Sequence, residues 1–311
     1  LRKQFNAIKR EQYPFMLEVT KCSPQMAIIQ LGDAFNRFFK GQAKYPKSRK
    51  KGKDDRFTLS NDQFRIDGQR IKIPNLGWVK MFEPLRFDGK TLSAKVFKKG
   101  GEWFVSVAVE LAQVIQPKPK TGKSIGIDLG ITDLLVLSNG MKIQAPKPLK
   151  TQLAKLRRLN KSLSRKQKGS NNREKAKTKL SRLHAKIGNI RSNSLHQITT
   201  YLVSEYDVLA IEDLNVSGMV KNRKLSRAIS DLGFYEFKRQ LIYKANQWGK
   251  AVKSVDRFYP STKTCHCCGH KVDELPLSVR MWQCPSCHTQ HDRDINASMN
   301  ILANANNLLT A

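Results

Sequence analysis

The sequence contains few acidic residues. Its 311 residues include 25 Asp and Glu against 57 Lys and Arg, which gives a formal net charge of +32. An enzyme of neutral small molecules does not need such an excess, so no small-molecule substrate is expected. A polyanionic partner accounts for the charge, and nucleic acid is the commonest polyanion that proteins bind. A basic protein of the ribosomal kind is the alternative that would need no acidic site.

Long apolar runs and a secretion signal are also missing. No apolar segment has the length that crosses a bilayer and no amphipathic anchor stands out, so no membrane partner is expected. The chain begins at Leu1 rather than Met, which predicts that an N-terminal piece is missing. Together these features predict a cytoplasmic protein.

Cysteine is scarce everywhere except in one stretch. Five of the six cysteines lie between residues 265 and 287. Cys265 and Cys268 form one pair, Cys284 and Cys287 form a second, and the fifteen residues between the pairs are typical of a zinc ribbon. Two tight turns can direct four thiolates at one tetrahedral ion. Without a secretion signal, this clustering favours a structural Zn²⁺ over disulfides.

Other possible ligands lie in or beside that pattern. Cys267 is an extra thiol, which either replaces Cys268 in the zinc set or stays free. The sixth cysteine, Cys22, fits a small buried apolar residue. Four histidines are further possible ligands, although lone histidines in basic loops are usually only solvated: His266, His270, His288 and His291.

The chain divides by composition into four segments. Residues 1–52 predict a helical segment, because apolar residues recur with helical period over residues 26–39, and a bundle that packs its own core is the simplest interpretation. Residues 53–116 predict six short strands punctuated by glycines, as in a small barrel or sandwich. Residues 117–123, with two prolines and three lysines, predict a linker. Residues 124–311 then form a further domain.

A basic helical hairpin is predicted at residues 149–203. Residues 146–191 contain sixteen Lys or Arg and one acid, Glu174. Leucine and isoleucine recur along one edge of each predicted helix, and residues 169–172 make the turn. A charged helix face is usually only solvated, but so few acids leave most of these cations unpaired. We therefore expect the hairpin to contact the backbone of nucleic acid.

Three acids lie at positions where ligands commonly bind to a sheet. Asp128 lies in a short strand flanked by glycines, which admit close approach of a ligand and favour a metal or phosphate site. Glu212 ends an apolar run typical of a buried parallel strand, and ligands bind at the carboxyl ends of such strands. Asp294 stands at the start of a late helix. Each acid alone is weak evidence, because an Asp at the end of a strand is common.

Taken together, the three acids predict a magnesium site. Carboxylates that converge repel one another unless cations lie between them. Mg²⁺ fits because it takes oxygen ligands and keeps waters for substrate phosphate. Two such ions can activate a water and stabilise the leaving oxygen of a phosphodiester. An acidic pocket in so basic a chain therefore predicts metal-dependent chemistry on a polyanion.

Five motifs resemble those of the TnpB family, the transposon-encoded OrfB proteins, which are similar to the compact ancestors of type V CRISPR nucleases. The resemblance spans roughly residues 40–303 and holds in motif sequence, order and spacing. The motifs are GIDLG (126–130), AIEDL (210–214), SGMVKNRKLSRAISDLGF (217–234), YPSTKTC (259–265) and HDRDINASMNI (291–301).

This resemblance implies an α/β fold. Its centre would be an RNase H-like RuvC nuclease domain at residues 124–311, carrying the helical hairpin and a zinc ribbon at residues 260–291. The helices of residues 1–52 would resemble a recognition lobe. The strands of residues 53–116 would resemble a wedge domain, a small barrel similar to oligonucleotide-binding folds.

The resemblance also implies which residues act. Asp128, Glu212 and Asp294 would form the catalytic triad and hold two Mg²⁺ ions. Asp294 is preferred over Asp292 because it stands two residues before Asn296, as in the family pattern. The four ribbon cysteines named above would hold a structural Zn²⁺.

The activity that the resemblance implies is that of an RNA-guided DNA endonuclease, associated with the nucleoid of a prokaryotic cell. A guide RNA from the transposon end would pair with target DNA, and the protein would read a short flanking motif. One alternative is a nuclease-inactive remnant that only binds nucleic acid. Another is a transposase that acts directly on element ends, although no tyrosine or histidine pair stands out as a strand-transfer nucleophile.

Two departures from the family pattern bear on these expectations. Family members usually begin with a basic β-strand segment ahead of the first helices, and this chain starts without one, so the wedge domain is expected to lack a strand. The extra Cys267 is the second departure, and it leaves the zinc ligand set open.

Overall fold

The computed structural model has a mixed α/β architecture and divides into two compact units, Leu1–Val114 and Ile115–Ala311. Each unit is described by itself. The structure describes residues 2–48, 50, 52, 54–111 and 116–310.

The first unit opens with helices α1 (Arg2–Gln12) and α2 (Cys22–Phe39). Cys22 is buried, as predicted, at the end of α2 that packs on the following strands. Further along α2, Leu31 is 43% exposed and Phe39 is 77% exposed. Among the described residues, the buried core that α2 joins is shared with the strands, and no buried cluster made by the helices alone is found. Helical periodicity identifies an apolar face but does not supply a partner for it.

Six strands follow, and all six were predicted from short alternating runs. They pair into two antiparallel sheets with the orders β1-β5-β6 and β2-β3-β4. Side chains from both sheets share one apolar core that includes Leu59, Ile71 and Val96. The hydrogen bonds of the described strands give two facing sheets rather than one closed barrel. The strands are β1 (Arg56–Ser60), β2 (Arg65–Asp67), β3 (Arg70–Ile73), β4 (Gly77–Lys80), β5 (Gly89–Lys99) and β6 (Glu102–Leu111).

The segment predicted as a linker, residues 117–123, contains neither helix nor strand. Hydrogen bonds nevertheless hold it to the second unit. Lys250 Nζ donates to Pro119 O (2.8 Å), and Gly122 N donates to a carboxylate oxygen of Asp207 (2.6 Å). Lys250 and Asp207 also form an ion pair in which the lysine is almost fully buried. This segment is therefore fixed to the second unit before its first strand begins.

A five-stranded mixed sheet is the centre of the second unit, with the order β11-β10-β7-β8-β9. β10 lies between β7 and β11 and runs parallel to both, while β8 is antiparallel to β7 and to β9. The apolar run that ends in Glu212 is thus a buried central parallel strand, as predicted. The strands are β7 (Ser124–Leu129), β8 (Leu135–Leu137), β9 (Lys142–Ile143), β10 (Val208–Glu212) and β11 (Ala251–Val255).

The described part of the second unit contains six helices. The predicted hairpin is formed by α3 and α4, and the Ser170 hydroxyl caps α4 by accepting a hydrogen bond from Arg173 N (3.2 Å). The apolar edge of α4 packs into the sheet core through Leu195 and Leu202. No helix in the described ranges is long and apolar enough to cross a membrane. The helices are α3 (Pro148–Ser164), α4 (Asn171–Glu205), α5 (Val216–Met219), α6 (Ser226–Leu232), α7 (Phe234–Gln247) and α8 (Arg293–Thr310).

Candidate active site and metal centre

Two of the predicted acids meet on neighbouring strands. β10 pairs with β7 in parallel register, with Ile211 opposite Ile127. One residue further along, this register places Glu212 beside Asp128, and side chains opposite each other in paired strands point to the same face. Both residues are half-buried. The sheet therefore brings these two carboxylates together at the carboxyl end of its central strand.

Helix α8 brings the third acid to the same place. Asp294 lies in the first turn of α8, and α8 packs across β7. A Cβ atom at Gly126 would lie 2.0 Å from Ser298 O and 2.9 Å from Leu302 N, both in α8. Gly126 thus allows the helix to approach the strand. The expectation that this glycine makes room for a ligand is wrong, because the helix fills that space.

The three carboxylates interact electrostatically. Burial, followed by the charges of Glu212 and then Asp294, raises the pKa of Asp128 from 3.8 to about 8, while Arg293 opposes the rise. Three oxygen-donor acids are the donor set that Mg²⁺ prefers.

Replacing Asp128 with Asn is expected to raise the melting temperature near pH 8 when divalent ions are absent. The pKa of Asp128 is raised in the folded chain, so the protonated carboxyl is the favoured form there. The stability that protonated Asp128 contributes is fully present below the usual pKa of 3.8. It is lost as the pH rises toward about 8. Asn mimics the protonated carboxyl and keeps that contribution. Thermal unfolding at about pH 5 and about pH 8 should separate the two proteins mainly at the higher pH.

Asp213→Asn is the control for this measurement, with the opposite sign. Lys238 and then Arg257 lower the pKa of Asp213, so losing this charge should lower the melting temperature at neutral pH. Mg²⁺ should reduce the difference between Asp128→Asn and the wild type, because a bound cation stabilises the ionised carboxylate. If the melting temperature of Asp128→Asn near pH 8 equalled that of the wild type, the ionised Asp128 carboxylate would not be destabilising the folded chain.

Glu212 is held by a residue that the sequence reasoning missed. The buried Ser261 hydroxyl donates to Glu212 Oε1 over 2.6 Å. The backbone oxygen of Ser261 in turn accepts from the side-chain amide of Asn300 (2.8 Å), and Asn296 donates to Thr264 O (2.8 Å). Asn296 and Asn300 lie one turn apart on α8. The helix that carries Asp294 is therefore joined to the loop that orients Glu212.

Asp292 and Asp294 have separate roles. Asp292 pairs with Lys142 (2.7 Å) and caps α8 by accepting from the backbone N of Asp294 (3.0 Å) and Ile295 (3.1 Å). Asp294 instead pairs with Arg280 (3.2 Å) and contributes to the charge felt by Asp128. This difference supports choosing Asp294 over Asp292 as the third acid.

Asp213, the residue after Glu212, is paired with basic side chains. Its carboxylate pairs with Lys238 (2.7 Å) and with Arg257. A cleft of about 420 Å³ is lined by residues that include Glu212, Asp213 and Tyr235. The ring of Tyr235 is 71% exposed there.

The four ribbon cysteines form a compact cluster. Cys265 Sγ lies 3.6 Å from Cys287 Sγ, Cys268 Sγ lies 3.6 Å from Cys284 Sγ, and all four sulfurs are within 4.8 Å of one another. Zinc–sulfur bonds of about 2.3 Å in a tetrahedron require sulfurs about 3.8 Å apart. The donor set therefore fits Zn²⁺. Cys268 completes this cluster, and Cys267 lies outside it.

Two tight turns present these sulfurs, and the second turn lies between the two strands of a short hairpin. Gly269 has φ +76° in the first turn, and its N–H donates to Cys265 O (2.9 Å). The hairpin pairs β12 (Met281–Gln283) with β13 (Gln290–Asp292), and α8 starts at the next residue. The ribbon is thus continuous with the helix that carries Asp294.

Most cations of the helical hairpin have no acidic partner among the residues that the structure describes. The ion pairs found in the described part of α3 and α4 use Lys177 with Glu174 (3.4 Å) and Arg191 with Asp231 (3.1 Å). The hairpin therefore presents a strongly positive surface to solvent, which suits the predicted contact with a polyanion.

Two family models match the chain. The family described as a probable transposase, OrfB of the IS605 type, matches residues 106–223. The TNB domain of Cas12f1-like proteins matches residues 234–301. Asp128 and Glu212 lie in the first match, and Asp294 lies in the second together with the ribbon cysteines.

Similar proteins are known from bacteria. A Streptomyces pristinaespiralis protein named as an RNA-guided DNA endonuclease is 40% identical over 304 residues, covering 95% of this chain and 74% of that protein. The protein InsQ of Escherichia coli strain K12, also named as an RNA-guided DNA endonuclease, is 33% identical over 295 residues, covering 90% of this chain and 73% of InsQ.

A solved structure shares the fold. Cas12f1, determined in a complex with its single guide RNA and target DNA, matches with a TM-score of 0.55 at 15% sequence identity. The match covers 88% of this chain and 69% of Cas12f1. At that identity, the likeness concerns the fold alone.

Proposed function

The chain belongs to the TnpB family, and from this premise we propose that it is a transposon-associated RNA-guided DNA endonuclease. Asp128, Glu212 and Asp294 hold Mg²⁺ in a RuvC-like site that hydrolyses phosphodiester bonds of DNA. The relatives' names describe the same activity, and the fold resembles that of a nuclease studied with guide RNA and target DNA.

The meeting of three carboxylates in a chain of net charge +32 is the observation that carries this proposal. Burial, and then the charges of Glu212 and Asp294, raise the pKa of Asp128, so the ionised carboxylate is disfavoured at this place. Groups whose pKa is shifted by burial and by nearby charges cluster at functional sites. Divalent cations remove the repulsion, and a phosphodiester backbone is the substrate that uses both those cations and the surrounding positive charge.

Each residue of the site has a distinct task. Mg²⁺ bound by the three acids would supply the activation of water and the stabilisation of the leaving oxygen. Asp128 must lose its proton to act as a ligand, so binding of the cation releases a proton near neutral pH. Ser261 fixes one oxygen of Glu212 and leaves the other for a ligand. Arg280 keeps Asp294 oriented at the start of α8.

The nucleic acids would bind around this site. The positive hairpin of α3 and α4 would hold the backbone of the guide–target duplex, whose pairing supplies the choice of sequence. The cleft beside Glu212 would receive the strand to be cut, with the exposed ring of Tyr235 as a surface for a base. In the first unit, residues 1–52 would serve as a recognition segment and residues 53–116 as a wedge domain that reads the flanking motif.

Cleavage is expected to require both the bound RNA and Mg²⁺. The chain should be expressed with its flanking transposon end, purified, and its copurified RNA sequenced. DNA that matches the guide portion, with a randomised flank, should be cut only when Mg²⁺ is present and only in members with a permitted flank. A guide of scrambled sequence serves as the control for pairing.

The other outcomes separate the alternatives. Cutting of the same DNA without RNA would reject the guided mechanism and favour direct action on element ends. Stable binding of RNA and matched DNA without cutting, at every flank and with Mg²⁺ present, would identify a nuclease-inactive binder.

A further inference from the structure

We propose that Cys267 and His291, sharing the thiolate of Cys265, form a second metal site, so that the ribbon binds two Zn²⁺-class ions. The ligand atoms of these three residues all lie within 4.8 Å of one another. Cys265 Sγ is 3.0 Å from His291 Nε2. Cys265 and His291 are buried, and Cys267 is exposed at the rim.

This second set overlaps the four-sulfur cluster in one residue. Cys265 belongs to both sets, whereas Cys268, Cys284 and Cys287 belong to the first alone. An ion held by Cys267 and His291 would therefore be distinct from the ion held by the four sulfurs. The Cys265 thiolate would bridge the two ions.

A further nitrogen lies at the edge of the second set. His266 Nε2 is 3.3 Å from Cys267 Sγ, and His266 Nδ1 is 3.1 Å from Asn296 Oδ1. Because the amide nitrogen of Asn296 donates to Thr264 O, its Oδ1 is an acceptor, and His266 Nδ1 carries the proton. That tautomer leaves the lone pair of Nε2 directed at the rim. An orienting hydrogen bond of this kind is typical of histidines that bind metal.

Charge and ligand chemistry define the kind of ion. Four thiolates around one divalent ion leave a net charge of about −2. Ionised Cys267 increases that negative charge, and a second divalent ion reduces it again with neutral imidazole as a co-ligand. Thiolate and imidazole select Zn²⁺ and similar soft ions rather than Mg²⁺. The site is thus chemically separate from the carboxylate site.

Co²⁺ titration of the reduced, metal-free full chain tests this proposal. Mg²⁺ in excess occupies the carboxylates, and the thiolate-to-cobalt charge-transfer absorption reports ions on sulfur alone. The absorption should rise until two equivalents of Co²⁺ are bound in the wild type and in His270→Gln, an exposed histidine outside both sets. In Cys267→Ser it should stop at one equivalent. Saturation of the wild type at one equivalent would leave His291 as a hydrogen-bond donor to Cys265 and overturn the proposal, as would two equivalents in Cys267→Ser.

A second measurement uses the unaltered chain. With one equivalent of Zn²⁺ bound, the exposed Cys267 thiol should react rapidly with iodoacetamide. With two equivalents its alkylation should slow at least about tenfold, since a metal-bound thiolate is a poor nucleophile. Equal rates at one and two equivalents would contradict a metal at Cys267.

Discussion

Glu212→Gln is expected to lower the rate of guided DNA cleavage by on the order of 10²–10³-fold or more, the scale of losing one preorganised group that stabilises developing charge. Gln keeps the shape of the side chain and can still accept from Ser261. It removes the negative charge that holds a divalent ion. Binding of guide RNA should remain unchanged, because the positive hairpin of α3 and α4 does not depend on this carboxylate.

Asp213→Asn is the matched control for that variant. The two acids are adjacent in sequence, but the charge of Asp213 is already paired with Lys238 and Arg257. Its replacement should leave cleavage within a few-fold of wild type. Single-turnover cleavage of matched DNA by the protein–RNA complex compares the three proteins. Equal losses in both variants would mean that general negative charge, rather than the position of Glu212, matters.

Local sequence patterns predict the acids of this site but not the distances between them. The acids themselves were predictable from local patterns. Glu212 follows a run of apolar residues long enough for a buried strand, and parallel strands place ligands at that end. Asp294 precedes a helical apolar series. What no local pattern contains is the distance between these acids, which depends on the packing of α8 across β7.

Gly126 shows why that packing could not be predicted. A glycine beside an acid is compatible with close approach of a ligand or of another chain segment. Only the structure identifies α8 as the segment that approaches. The same limit applies to α2, whose apolar period predicted a packed face. Periodicity defines which residues share a face and not which element covers it.

The hydrogen bonds that support the site were missed for a related reason. Ser261, Asn296 and Asn300 are ordinary polar residues in sequence, and their partners lie 32 to 49 positions away. The available signal was their place inside the motifs YPSTKTC and HDRDINASMNI. Motifs indicate that residues matter, but only geometry assigns a task to each one.

Cys284→Ser is expected to remove the ion of the four-sulfur cluster and to abolish cleavage nearly as completely as Glu212→Gln. Structural zinc contributes an apparent binding free energy of about 10–16 kcal/mol in small zinc domains. Among the described residues, the buried cluster of the ribbon consists of Cys265, Trp282 and Cys284. The burial of these three side chains cannot replace the free energy of zinc binding. The ribbon should open and become sensitive to proteases, while the five-stranded sheet stays folded.

The loss of activity would follow from two connections between ribbon and site. Arg280, at the start of the hairpin, pairs with Asp294 and accepts a backbone hydrogen bond from Arg293 N (2.8 Å). His266, in the first turn, donates its N–H to Asn296 Oδ1 (3.0 Å), and Asn296 holds the loop that orients Glu212. An open ribbon therefore releases two of the three acids. His270→Gln, with its side chain outside both ligand sets, should keep zinc and activity. A Cys284→Ser protein that lacks zinc and cuts DNA at the wild-type rate would show that the carboxylates hold their arrangement without the ribbon.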